Sequence, residues 1–390
     1  MKSNKNGITL VALVITIIVL LILAGITINL TIGQDGILKR AQEAGKNYQD
    51  AAGYEQTQLA EFTNQAENII NGLGGNNEPE QKYTMVDGVP VPKGFTHTEG
   101  TKSTGFVIKD TTTNADGTPT LTNGNEYVWV PVDDTTSYSY DRYAFTSDDW
   151  EYAQTKGEYD STTNSYKIVS DSYYTEAMPS IDATRTELDS VNEYKGFYIG
   201  RYEVGVVGYD STVSTSPDGT TTWTGYSNGT AVIQQGKQVW NWITRDKARE
   251  VAESMYSDND AVISRLCSSY AWDTALKFIE TQNSTYPTNS VGGYYSQSAP
   301  TTTGYDTVHP CNIYDMGGNV FELTTEVYSS ASIPYVFELT TEVLAMQGDH
   351  CTIRGGFYDL SASDFPAAYR SYGSTPAAAG FVGFRSTLYL

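Results

Sequence analysis

The sequence predicts an α+β protein: an N-terminal apolar helix, then a domain of short strands, two main helices and long loops. Three observations point there. Apolar residues are spent unevenly, with 19 of the 25 residues from Ile8 to Ile32 apolar and no charge between Lys5 and Asp35. From Tyr83 onward, short β-type runs alternate with clusters of Gly, Asn, Asp, Ser and Thr. Only two stretches of that region carry helix signals. A chain of 390 residues fits about two units at roughly 100–200 residues each. Against 24 Lys+Arg stand 46 Asp+Glu, a net charge of −22, so no basic footprint for nucleic acid exists. The composition, 39 % hydrophobic with three Cys, excludes a multi-span transporter, a collagen-like fibre and a disulfide scaffold.

As a helix, Ile8–Ile32 would run about 37 Å, enough for a hydrocarbon core of about 30 Å. Lys2 and Lys5 precede it, so the N-terminus is expected in the cytoplasm and the remainder outside. A cleaved secretory signal has a core of about 7–15 apolar residues; this one is longer and lacks an A-x-A site. A plain signal anchor is the alternative. The short Lys/Asn leader, Gly7 and the abrupt Ile8-Thr9-Leu10-Val11 resemble the type IV prepilin N-terminus. That resemblance implies cleavage by a prepilin peptidase after Gly7 and a mature chain beginning at Ile8. It also implies a helix that stays in the membrane until it packs against other pilin subunits. The family usually has Glu at mature position five; Ala12 stands there, a departure at a residue tied to subunit registration.

Beyond the leader (1–7) and the apolar helix (8–32), residues 33–71 place Ile37, Leu38, Ala41, Ala44, Tyr48, Leu59, Phe62 and Ile69 at helix-like spacing. This amphipathic spacer is either a lift for the head or part of a filament core. Gly72-Leu-Gly-Gly-Asn-Asn opens a linker over 72–82, and the head domain follows over 83–390.

Within the head, Phe106–Lys109, Tyr127–Val132, Phe197–Val204 and Thr220–Tyr226 are expected strands. Thr244–Met255, with Thr244 as N-cap, and Ala271–Thr281 are expected helices. Asp133–Asp189 and Gln282–His309 are expected as long irregular segments. The thiols Cys267, Cys311 and Cys351 are scattered, without CxxC or metal spacing, and are expected as core residues.

Five strings then occur in order: Phe197-Tyr-Ile-Gly-Arg-Tyr-Glu-Val204, Ser264-Arg-Leu-Cys-Ser-Ser-Tyr-Ala-Trp-Asp273, Asn312-Ile-Tyr-Asp-Met-Gly-Gly-Asn-Val-Phe-Glu322, Arg354-Gly-Gly356 and Gly383-Phe-Arg385. Together they resemble the formylglycine-generating (sulfatase-modifying factor) family, which implies a C-type-lectin-like fold from Tyr83 onward. The family's enzymes hold copper with cysteines near the C-terminal Arg-rich stretch. Ser363–Arg385 contains no cysteine, so neither copper nor catalysis is expected. The enzymes also carry a calcium ion. The resemblance assigns it here to the Asp315 carboxylate, the Gly318 and Val320 carbonyls and the Glu322 carboxylate. The alternative is a tight glycine turn entering a strand. Val320–Val327 recurs identically at Val336–Val343, as a hairpin or a local duplication.

From Arg354 to Leu390 there is no Lys, Glu, Gln, Met or Trp, the five residues that a codon ending in a pyrimidine cannot encode. With the frame Arg354-Gly-Gly, Pro366-Ala-Ala-Tyr-Arg370 and Gly383-Phe-Arg385, this resembles the variable proteins of diversity-generating retroelements. The resemblance implies a rigid scaffold containing Arg354, Arg370 and Arg385, paired or stacked inside. It also implies an exposed variable face of Phe357, Tyr358, Asp359, Leu360, Ala362, Asp364, Phe365, Ala368, Ser371, Tyr372, Ala377, Ala378, Ala379 and Phe381. Such a face works as a paratope does. The expected function is binding of a protein or glycan on another cell or phage by a membrane-held, outward-facing head. Its rivals are a formylglycine-type oxidoreductase and a structural pilin without a specific ligand.

Overall fold

Two sheets organise the head. In the computed structural model the described residues are 81–111, 124–145, 157–160, 165–168, 174–215, 222–329, 349–373 and 379–390, all within one compact unit, Gln81–Leu390. The leader, apolar helix, spacer and the second Val-Phe-Glu-Leu copy at 336–343 lie outside them. Among the described residues no helix is long and apolar enough to cross a membrane.

The elements that position the site are β1 (Phe95–Glu99), β2 (Phe106–Asp110), β3 (Glu126–Pro131), α1 (Glu187–Tyr194), β4 (Gly196–Gly200), α2 (Arg245–Ser254), β5 (Ile263–Leu266), α3 (Ser269–Glu280), β6 (Phe321–Ser329), β7 (Asp349–Arg354), β8 (Arg370–Gly373), β9 (Val382–Phe384) and β10 (Ser386–Tyr389). The central sheet runs β5-β10-β4-β3-β2-β1, antiparallel throughout. A second sheet runs β8-β7-β6-β9, with β9 parallel to β6.

Strand residues alternate between two cores, as the period of two requires. Phe106, Ile108, Tyr127, Trp129, Tyr198 and Leu388 enter one core; Val107, Val128, Val130, Phe197, Ile199 and Tyr389 enter the other. The first core is closed by Ala248, Val251 and Ala252 of α2, the second by Ala271, Trp272, Ala275, Leu276 and Phe278 of α3. A sheet buried on both faces explains why the strand strings are almost continuously apolar.

Thr244 caps α2 as expected, its side chain accepting from the Lys247 amide. Helix α3 starts two residues earlier than expected, because Ser268 accepts from the Ala271 amide and is the N-cap. Two expectations need correction. Asp133–Asp189 is not irregular throughout: Tyr143–Ala144, Gly157–Asp160, Ser165–Ile168 and Tyr174–Thr175 are short strands, and α1 begins at Glu187 behind a capping box of Thr186 and Asp189. Asp at the third position, where Glu or Gln is usual, hid that signature. The run Phe197–Val204 is not one strand: pairing with β3 stops at Gly200, and Gly205–Val207 joins a separate three-stranded sheet. Arg201 breaks the run by reaching Glu126 at 2.8 Å.

Candidate functional site

The C-terminal segment is anchored by three buried guanidiniums. Arg354, at the end of β7, donates to Asp273 Oδ1 and lies over the Trp272 ring. Arg370, opening β8, donates from Nη2 to Asp273 Oδ2 at 2.5 Å and from Nε to Glu326 Oε2 at 2.8 Å. Arg142 takes the other Glu326 oxygen at 2.8 Å. This cluster ties α3 to β6, β7 and β8. Arg385, between β9 and β10, donates to Glu322 from Nε at 3.0 Å and from Nη2 at 2.6 Å. Its Nη1 donates to the Gly200 carbonyl at 2.8 Å. Burial pulls Arg354 down to about 10 and pushes the Asp273 carboxyl up, while the two arginines beside Asp273 oppose that rise. The three arginines are buried and paired, as expected. Their partners Asp273, Glu326 and Glu322 were not foreseen in that role.

Between Arg354 and Arg370 the chain leaves the sheet and returns. Gly355 turns at φ +70°, and a Cβ on Gly356 would stand 2.3 Å from the Phe365 carbonyl and 2.5 Å from Tyr295 Cε1. The excursion leaves Asp359 and Asp364 exposed and Phe357, Tyr358, Leu360, Ala362 and Phe365 half-buried. On the returning side Ser371 and Ala379 are half-buried and Phe381 is 39 % exposed. Phe357 bridges the two sides, its ring 4.9 Å from Phe381 and 5.3 Å from Tyr358. Ala368 is a correction. It is buried in the second core and its amide donates to the Pro287 carbonyl at 2.9 Å, because the turn into β8 carries it inward. Tyr372 pairs with Thr352 in β8; its side chain, Ala377 and Ala378 lie outside the described residues.

A second segment, expected only as an irregular loop, runs along this excursion. Gln297 and Ser296 amides donate to the Tyr358 and Leu360 carbonyls at 2.7 and 3.0 Å. Tyr295 Oη donates to the Phe365 carbonyl at 2.8 Å, and the Ala367 amide to Ser290 Oγ at 2.7 Å. No periodicity marks this loop in the sequence; its tyrosines were the available sign.

The expected calcium positions are occupied differently. Both Glu322 oxygens accept from Arg385. Asp315 accepts from the Gly304 and Asp306 amides. The Val320 amide donates to Glu203 Oε1 at 3.3 Å, and Gly318 turns at φ +94°. Burial, then repulsion from Asp315, pushes Glu203 and Asp306 well above the usual carboxylate range. Among the described residues no three His, Cys, Asp or Glu side chains converge as a metal-holding group. Of the expected ligands, the Glu322 carboxylate is engaged by the Arg385 guanidinium, which competes with a cation for it.

All three thiols are buried and none forms a disulfide. Burial pushes Cys311 up to about 12 and Cys267 well above its ordinary value, so neither supplies a thiolate at neutral pH.

Residues 252–388 match the family model described as the sulfatase-modifying factor enzyme 1-like domain. No curated protein matches the chain. Solved structures similar to it include Treponema denticola variable protein 1, at 14 % identity over 70 % of this chain and 98 % of that one, with a TM-score of 0.33. PvdO from Pseudomonas aeruginosa is 12 % identical over 68 % and 95 %, TM-score 0.34. The Major Tropism Determinant M1 variant is 15 % identical over 79 % and 85 %, TM-score 0.29.

Proposed function

We propose that this chain is a surface-displayed binding protein whose C-terminal segment takes varied protein or glycan partners, its head held outside the cell by a pilin-like helix. One observation carries this reading: within residues 354–390 the three arginines are buried in ion pairs, while Phe357, Tyr358, Asp359, Leu360, Ala362, Asp364, Phe365, Ser371, Ala379 and Phe381 stand partly or fully at the surface. A frame that does not depend on its surface residues tolerates their exchange. The absence of Lys, Glu, Gln, Met and Trp from the same segment supports exchange through adenine-rich codons. Sequencing the flanking DNA tests this. A reverse transcriptase gene and a near-repeat of this segment differing at adenines are expected; their absence overturns diversification. Membrane display is tested by mass spectrometry of the processed protein, with Ile8 expected as the N-terminus. A protein that retains residues 1–7, or is cut after residue 32, overturns prepilin-type processing.

The rival enzyme is disfavoured by the absence of cysteine between Ser363 and Arg385 and by the burial of the three thiols. Copper-dependent oxidation of a cysteine peptide would restore it. A purely structural pilin would appear as filaments carrying this chain in electron micrographs of expressing cells, with no change in ligand capture on substitution of the face.

A further inference from the structure

Five large apolar side chains are exposed among the described residues: Met85, Tyr209, Val291, Tyr305 and Phe381. Three of them lie on the C-terminal segment or on the loop bonded to it, and two of those three end a row of two ring groups bridged by Asn319. Phe381 meets Phe357 at 4.9 Å, Phe357 meets Tyr358 at 5.3 Å, and Tyr294 meets Tyr305 at 5.1 Å. Asn319 joins the two halves, its carbonyl accepting from the Tyr358 amide at 3.0 Å and its amide donating to the Tyr294 carbonyl at 2.9 Å. Asn319 is itself pinned, its side chain donating to Glu203 at 2.5 Å and accepting from the Thr301 amide at 2.8 Å. Tyr305, at the far end of the row, is 58 % exposed.

Within the two segments the exposed charge has one sign; outside them the cation Lys237 is half-buried and bonded through its backbone to Thr303. Residues 287–308 and 355–384 contain a single cation, Arg370, and it is buried against Asp273 and Glu326. Asp306 is buried, so the exposed charges are the carboxylates of Asp359 and Asp364. Ring faces and carboxylates in segments that add no exposed cation are the chemistry that takes a guanidinium or an ammonium. The ring quadrupole attracts the cation and the carboxylate accepts its hydrogen bonds.

The geometry points to a composite docking surface in which the 291–305 loop supplies Tyr294 and Tyr305 as fixed anchors beside the C-terminal segment, and whose partner is a polypeptide presenting exposed Arg or Lys. This rests on the ligand-binding reading above, and narrows its partner from protein or glycan to a basic protein surface.

The test uses the full chain in detergent and three immobilised probes: an Arg-Gly repeat peptide, a Glu-Gly repeat peptide of equal length, and a neutral glucan. Binding to the Arg-Gly peptide alone is expected. The double change Asp359→Asn with Asp364→Asn is expected to weaken it at least tenfold, and so is Tyr305→Ala with Tyr294→Ala. Asp258→Asn with Asp260→Asn removes the same charge from an exposed site outside both segments and is expected to leave binding unchanged. Equal loss in that control would show that only net charge attracts the peptide, and would overturn the proposal. Preference for the glucan or the Glu-Gly peptide would overturn it as well. If Tyr358→Ala with Phe381→Ala abolishes binding while the Tyr294/Tyr305 change does not, the loop anchors fall and the C-terminal face stands. If none of these changes alters binding to any probe, both readings fall. Thermal melts of each variant confirm that folding is kept.

Discussion

Glu187 is fully buried at the start of α1, where one carboxylate oxygen accepts from Tyr140 and from Ser268, each at 2.6 Å. Burial pushes its carboxyl from an ordinary 4.5 up to about 7. The folded chain therefore holds this proton more tightly than the unfolded chain does. The resulting stabilisation is complete below about pH 4.5 and is lost as pH rises towards 7, a span of about 2.5 units worth roughly 3 kcal/mol. Glu187→Gln should flatten the melting temperature between pH 5 and 8; an unchanged slope would place the proton elsewhere. Asp273 answers a different question. Asp273→Ala strands Arg354 and Arg370 without their shared carboxylate and should cost about 3–5 kcal/mol in urea unfolding. The arginines were legible as frame residues because they sit in recognisable strings. Their partners were not, since Asp273 and Glu326 lie 81 and 44 positions away from the arginines they hold. Such pairings are set by topology and leave no local mark.

At the scale of elements, periodicity was a sound guide for some regular stretches. Strands β2 and β3 fall within a residue of their expected bounds, and α2 begins behind the expected cap. It failed where a short helix had an unusual cap and where a charged side chain interrupted a strand. It was silent about the loop 287–305, whose position follows from backbone hydrogen bonds to the excursion after Gly356. That contact gives a prediction. Gly356→Ala drives a methyl into the Phe365 carbonyl and the Tyr295 ring, so it should cost about 1–3 kcal/mol. It should also separate the loop from the C-terminal segment, seen as faster amide exchange at Ser296 and Gln297 with β3 and β4 still protected. Uniform exchange across the domain would mean that loop and sheet open together.

For the molecule as a whole, the proposed binding face and the buried ion pairs divide surface from stability. Single changes among Tyr358, Asp359, Asp364 and Phe381 should move unfolding free energy by less than about 0.5–1 kcal/mol, whereas Arg385→Ala, which abandons the buried Glu322, should cost several times that. Comparable losses at both kinds of site would contradict the division. Four of the five strings lie within 252–388, the residues that match the family model. The surface that the fold assembles was only half legible, because the loop that completes it lies 60 to 70 residues earlier in the chain. Strand β10 adds a consequence during synthesis. It follows the excursion in the chain yet lies inside the central sheet, between β4 and β5. The sheet cannot close until translation has passed through every codon of the surface segment in frame. A stop or frameshift there removes both β10 and Arg385, leaving two open strand edges and an unpaired Glu322 for proteases to find. A chain cut short or shifted out of frame within the segment is thus left without a closed central sheet.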